Sequence, residues 1–148
     1  MMDEILRLHK NGKIKVVSTV PIDSIAVLRK VYTPGVAEVS QMIADKPTLS
    51  NVYTSIPYTV AIVTDGTRIL GLGNIGAVAG MPVMEGKAAL LQELVGINGV
   101  PILMNTKNAE EIIQTVKNIA PTFGGIQLED IESPKCFTIF DRLEKDYS

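Results

Sequence analysis

From about residue 57 onward, short apolar runs of strand length alternate with segments of helical period. That alternation restricts the fold more than any other feature of the chain. The runs Tyr58–Val63, Val100–Met104 and Gly125–Leu128 read as strands. Between them, Gly86–Val95 carries Ala88, Leu91, Leu94 and Val95 at helical spacing. Asn108–Ile119 does the same with Ile112, Ile113, Val116 and Ile119, and Asn108 is suited to cap it. Pro134–Lys145 opens like a helix with proline in its first turn. The expected class is α/β, with a mostly parallel sheet flanked by helices. Arg68–Leu70 resumes as a strand after a turn at Asp65-Gly66, which predicts a hairpin with 58–63. Upstream, Met2–Lys10, Ser24–Val31 and Val36–Ala44 are helical, and Lys13–Ser18 alternates like a short strand or extended arm. The helix at 24–31 must stop before Thr33-Pro34, because a residue preceding proline is pushed out of the α region. These segments predict a helical N-terminal extension of one domain spanning residues 1–148.

Composition removes several classes of function. Hydrophobic residues make up 46% of the chain, enough for a real core, and the formal net charge is −2. A nucleic-acid or membrane-surface binder usually shows a basic excess. The longest apolar runs are too short to span a bilayer, and "MMDEILRLHKNGK" has no apolar signal core. Cys136 is the single cysteine, so no internal disulfide forms, which fits a reducing cytosol. It reads as an ordinary small apolar residue, and His9 reads as a surface residue on the first helix.

Gly71-Leu72-Gly73-Asn74-Ile75-Gly76 matches the G-x-G-x-x-G pattern of dinucleotide-binding folds. That motif needs a helix beginning on its last glycine and an acidic residue about 20 positions further on. Gly80, Pro82 and Gly86 stand where the helix should be, so the helix is expected to start only near Gly86. The next strand ends in Asn105 and Thr106, with no carboxylate to hold a ribose. The glycines therefore read as a tight backbone segment delivering Glu85-Gly86-Lys87 to a cleft, and no nucleotide-binding residue is assigned.

Four segments could carry chemistry. Tyr32 precedes a Thr-Pro-Gly turn in "VYTPGVAEV", where a packed ring is the plainer explanation. Arg68 lies in "TDGTRILGLGNIG". Lys87 lies in "MEGKAALL", at the expected start of a helix. A surface lysine is common there, yet the helix dipole disfavours a cation in the first turn, which suits a general base. Glu129-Asp130 follows a strand. Such a pair is often only a loop or cap, but paired carboxylates also suit a hard divalent cation. Strand ends in α/β sheets are where ligands usually bind. Residue chemistry alone reaches a metal-assisted acid/base site and no further.

In this order and spacing, "HKNGKIKVVSTVP", "YTPGVA", "TDGTRILGLGNIG", "MPVMEGKAAL", "GVPI" and "FGGIQLEDIESP" closely resemble the N-terminal domain of malic enzymes of the short bacterial and archaeal type. The resemblance covers nearly the whole chain. It implies oxidative decarboxylation of L-malate to pyruvate and CO2 with NAD or NADP and Mg2+ or Mn2+. Lys87 matches the lysine that takes the malate hydroxyl proton, and Tyr32 the tyrosine that protonates the enolpyruvate carbon. Glu129 and Asp130 match two of three carboxylate metal ligands. Arg68 falls where larger malic enzymes contact the substrate carboxylate, although short forms often have a small residue there. In the family, the glycine motif leads to the lysine, and the nucleotide fingerprint lies later.

The chain departs from the family by stopping at "FDRLEKDYS". The third metal-binding acid, in an Asp-Asp-x-x-Gly-Thr motif, and the NAD(P)-binding domain both lie beyond that point. The chain is thus expected to be the substrate and metal half, inactive alone in the redox reaction and completed by a nucleotide domain in cis or in trans. Two other functions compete with this one: a residual metal-dependent oxaloacetate decarboxylase, weak for want of one ligand, and a non-catalytic binding or assembly module. The resemblance also implies a cytoplasmic homodimer, with Ile5, Leu6 and Leu8 as candidate contacts; a monomer by light scattering would count against it.

Overall fold

The structure, a computed structural model, describes residues 1–147, with the side chain of residue 147 left aside. The chain divides into two compact units. One joins residues 1–14 to the chain from Tyr58 onward, and the other is Lys15–Pro57.

The first unit begins with helix α1 (Met2–His9) and continues through strand β1 (Thr59–Thr64), helix α5 (Ala77–Val95), strand β2 (Asn98–Leu103), helix α6 (Ala109–Ile119), strand β3 (Gly125–Leu128) and helix α7 (Lys135–Tyr147). Among the described residues the strands form one sheet in the order β2-β1-β3. Both pairings are parallel, with Val63 opposite Ile102 on one side and Leu128 on the other. β2 is an edge strand and so tolerates Pro101. Successive β1 side chains point to opposite faces. Ala61 and Val63 meet Ile112, Ile113 and Val116 of α6 and Ile139 and Leu143 of α7. Ile62 meets Met84 and Ala88 of α5, with Ile14 packed beside them. Full burial of a side chain such as Ile62 contributes about 1.5–3 kcal/mol. Cys136 packs partly buried against the α6–α7 core.

Two expectations fail here. Arg68–Leu70 is not a strand, and there is no hairpin: both edges of β1 are already taken by β2 and β3, so no ladder remains for a returning strand. Ile69 makes only an isolated antiparallel bridge to Gly73. Lys13–Ser18 is not a strand, which leaves the extended arm that its alternation also allowed. The second failure is the start of α5, which lies at Ala77 rather than Gly86 and carries Pro82 inside it. Burial outweighs propensity: Gly80, Met84 and Ala88 form one buried stripe at helical spacing. A Cβ on Gly80 would stand 2.5 Å from Ile69 Cδ1, so close packing requires the glycine. Because α5 starts on Gly76, the delayed-helix objection to the dinucleotide motif no longer holds. What separates this loop from that motif is that β1 ends at Thr64, well before Gly71, and that β2 is followed by Asn105 and Thr106.

α6 follows its sequence closely. The Asn108 side chain accepts from the N–H groups of Glu110 and Glu111 at 2.9 and 3.2 Å. Asn108→Ala is expected to lower stability by about 1 kcal/mol, read as a shift of the urea midpoint at unchanged slope. A loss below about 0.3 kcal/mol would mean the cap is dispensable.

The Lys15–Pro57 unit consists of helices α2 (Ile25–Val31), α3 (Val36–Asp45) and α4 (Ser50–Tyr53) with short 3-10 turns. Ser24 caps α2, accepting from the Val27 N–H at 3.2 Å. Every residue of this unit is exposed or half-buried, consistent with a helical stretch too short to enclose a core. Among the described residues, no helix is long and apolar enough to cross a membrane.

Candidate active site

Parallel strands place all three of their C-terminal ends at one edge of the sheet, and the loops that follow them meet there. β3 leads directly into Glu129-Asp130. The Glu129 N–H donates to the Val63 carbonyl at 2.8 Å, which extends the ladder one residue and fixes where the side chain begins. Lys87 Nζ lies 2.5 Å from Glu129 Oε2, and Gln127 Nε2 donates to the same oxygen at 2.9 Å. Lys87 stands midway along α5, so the expectation of a first-turn lysine influenced by the helix dipole is wrong. It faces the strand ends because α5 lies over β1 through Met84 and Ala88.

Asp130 has a left-handed backbone, φ +51°, which Asp adopts more readily than most residues. Its carbonyl accepts from the Arg68 N–H at 3.0 Å. The Leu70 N–H reaches its carboxylate, and Leu70 itself holds a left-handed φ of +47°. Such strain collects at functional sites. Asp130 Oδ2 is buried without a hydrogen-bond partner. Burial, and then the charge of Glu129, push the Asp130 carboxyl above its usual range, while Lys87 and the Leu70 N–H pull it back. An orphaned buried carboxylate oxygen beside a second carboxylate fits the donor set of a hard divalent cation. Among the described residues, however, no three His, Cys, Asp or Glu side chains are grouped to hold a metal.

Arg68 contributes its backbone to this corner, and its side chain is exposed. Tyr32 belongs to the Lys15–Pro57 unit, where it ends α2 and is 66% exposed.

A second cluster was not foreseen from the sequence. Asp65, directly after β1, has a fully buried side chain. Its Oδ1 accepts from the Thr67 N–H at 3.1 Å and the Thr67 hydroxyl at 2.6 Å. Its Oδ2 lies 2.5 Å from Lys135 Nζ. Lys135 also donates to the Lys107 carbonyl at 3.2 Å and Glu132 Oε1 at 3.3 Å. The Glu132 N–H closes the ring by donating to Thr67 Oγ1 at 2.9 Å. Gln127 was missed as well. The signal available for Asp65 was the Asp-x-Thr spacing, in which Asp captures backbone two residues on.

The family model described as "Malic enzyme, N-terminal domain" matches residues 11–112 and 105–144. The chain belongs to the malic enzyme family. It is 60% identical over 144 residues to NAD-dependent malic enzyme 1 of Bacillus subtilis (strain 168), covering 97% of this chain and 33% of that relative. It is 41% identical over 145 residues to an NADP-dependent malic enzyme of Rhizobium meliloti (strain 1021), covering 96% of this chain and 19% of that protein. The crystal structure of malic enzyme from Pyrococcus horikoshii Ot3 superposes with a TM-score of 0.94 at 49% identity, covering 98% of this chain and 35% of that one. The α/β fold with a helical N-terminal region is therefore that of malic enzyme N-terminal domains. The chain spans about a third of the Bacillus relative's length.

Proposed function

We propose that this chain is the substrate- and metal-binding part of a malic enzyme that oxidatively decarboxylates L-malate to pyruvate and CO2, with NAD or NADP as hydride acceptor. The observation that carries this reading is the meeting of Lys87, Glu129 and Asp130 at the strand ends. Glu129 and Asp130 would hold Mg2+ or Mn2+, with Asp130 Oδ2 as the oxygen in want of a partner. Such an ion, when bound, acidifies a coordinated hydroxyl and stabilises enolate charge. Lys87 is the base for the malate hydroxyl: its Nζ, separated from Glu129 and with its own proton passed to solvent, accepts the hydroxyl proton as hydride passes from C2 to the nicotinamide. Gln127 keeps Glu129 in place as that happens. Tyr32 is the acid for the enolpyruvate carbon, and Arg68 the contact for a substrate carboxylate; the family resemblance supports both roles.

Oxaloacetate decarboxylation tests the half-site, because it needs no hydride transfer. With Mn2+, the 148-residue chain is expected to form pyruvate slightly above the rate of the ion alone. The rate should fall to that background in Glu129→Ala and Asp130→Ala, and no NADH or NADPH should form from malate. Equal rates in all three proteins above background would remove the two carboxylates from the site.

A further inference from the structure

One ammonium group ties together the loops that follow all three strands. Lys135 Nζ meets Asp65 after β1, the Lys107 carbonyl after β2 and Glu132 after β3. Its side chain is only 14% exposed, and that of Asp65 is fully buried. From Asp65 the connection runs through covalent chain and hydrogen bonds to the acidic corner. Asp65 holds Thr67, and the next residue, Arg68, donates its N–H to the Asp130 carbonyl. Thr67 in turn accepts from the Glu132 N–H, two residues beyond Asp130. The Leu70 N–H, on the same loop, reaches the Asp130 carboxylate. Asp130 therefore sits in a left-handed turn gripped from the 67–70 loop, and that loop is itself gripped by Asp65 and Lys135.

We propose that Lys135 is a positioning residue that sets the aim of the Asp130 carboxylate through Asp65 and the 67–70 loop. The metal-binding part of this inference rests on the reading of Glu129 and Asp130 as cation ligands. A single lysine touching three loops fixes their relative heights, which no contact within one loop can do. Outer groups that orient a ligand typically change metal affinity by about 10–100-fold when removed. Lys135 does not touch the reacting atoms; it acts through others.

Two variants separate positioning from stability. Lys135→Met removes the tie and strands the buried Asp65 charge. The Asp65→Asn/Lys135→Met pair removes both charges and keeps an acceptor for Thr67, so it folds even where the single variant does not. The readouts are the melting temperature, amide hydrogen exchange at Arg68 and Leu70 against the amides of β1, and Mn2+ affinity from the free-ion spin-resonance signal. In the double variant we expect a melting temperature near wild type, exchange at Arg68 and Leu70 about tenfold faster than the β1 amides can account for, and Mn2+ binding weaker by about tenfold. Unchanged exchange at Arg68 and Leu70 overturns the proposal, as does acceleration spread evenly over β1, which marks a purely global role. If the wild-type chain takes up no Mn2+, the metal reading of this half-site fails, while the exchange pattern still decides whether Lys135 positions the loop.

Discussion

Gly66→Ala is expected to be the most damaging single-methyl change in the chain. Gly66 holds a left-handed φ of +69° directly after Asp65. A Cβ there would stand 2.2 Å from Ala77 N and 2.3 Å from Gly76 C, both backbone atoms at the start of α5. The Gly66 carbonyl also accepts from the Gly76 N–H at 3.3 Å, so the two segments are packed main chain to main chain. The left-handed conformation alone costs roughly 1–2 kcal/mol for a residue with a side chain. Overpacking adds about 1–3 kcal/mol, at the upper end here because no flexible side chain can yield. The sum, about 3–5 kcal/mol, is a large part of a typical total stability of about 5–15 kcal/mol. Gly73→Ala is the control. Its φ of +74° carries the same conformational strain, but a Cβ there meets nothing within 4 Å. Urea unfolding should show a small loss for Gly73→Ala and a loss several times larger, or no folded protein, for Gly66→Ala. Similar losses in the two would mean that the approach of α5 to the loop is not what constrains Gly66.

Lys135→Met should come close behind. It leaves the fully buried Asp65 carboxylate without its counter-charge, and breaking a buried pair on one side costs about 3–5 kcal/mol. The Asp65→Asn/Lys135→Met double variant should recover most of that loss, since an uncharged pair has no stranded charge to bury. The pair also carries a pH signature. Burial alone would lower the Lys135 pKa, but the hydrogen bond and charge of Asp65, then those of Glu132, outweigh it and raise it above the ordinary lysine value. A lysine whose pKa is raised on folding stabilises the native state fully below the ordinary lysine pKa. That contribution is lost as pH climbs through the raised value. Urea unfolding of the wild type should therefore weaken in strongly alkaline solution by more than that of the double variant. Parallel pH curves would show that Lys135 and Asp65 are not coupled.

Local rules read much of this fold. β3 occupies Gly125–Leu128, the bounds read from its sequence, and α6 begins on the Asn108 cap. These segments are short, regular and bounded by punctuating residues, so neighbouring chain decides them. The first half of α5 is different. Gly80 and Pro82 argue against a helix locally, and only the burial of Gly80, Met84 and Ala88 along one face outweighs them. Arg68–Leu70 has strand composition, but a strand needs a free edge, and whether β1 offers one depends on where β2 and β3 go. The site divides in the same way. Lys87, Glu129 and Asp130 are singled out by family motifs, and the structure brings Lys87 against Glu129, although the dipole argument attached to Lys87 was wrong. Asp65 and Lys135 were not found. Each is unremarkable in its own segment, and the pairing arises only when loops distant in sequence are buried against each other.

The contact between Lys87 and Glu129 also bears on how this corner holds two adjacent acids. Structural zinc modules leave their ligands repelling one another until the ion arrives, so they are unfolded without it. Here the chain supplies a positive charge of its own to the adjacent acids, in the form of an ammonium at 2.5 Å. If Glu129 and Asp130 take a cation as proposed above, folding should not depend on it, and a chelator should leave the melting temperature unchanged. On the proposed reading, a divalent ion taken up by Glu129 would exchange with this internal counter-ion, and Lys87 would give up its own proton to solvent before serving as a base.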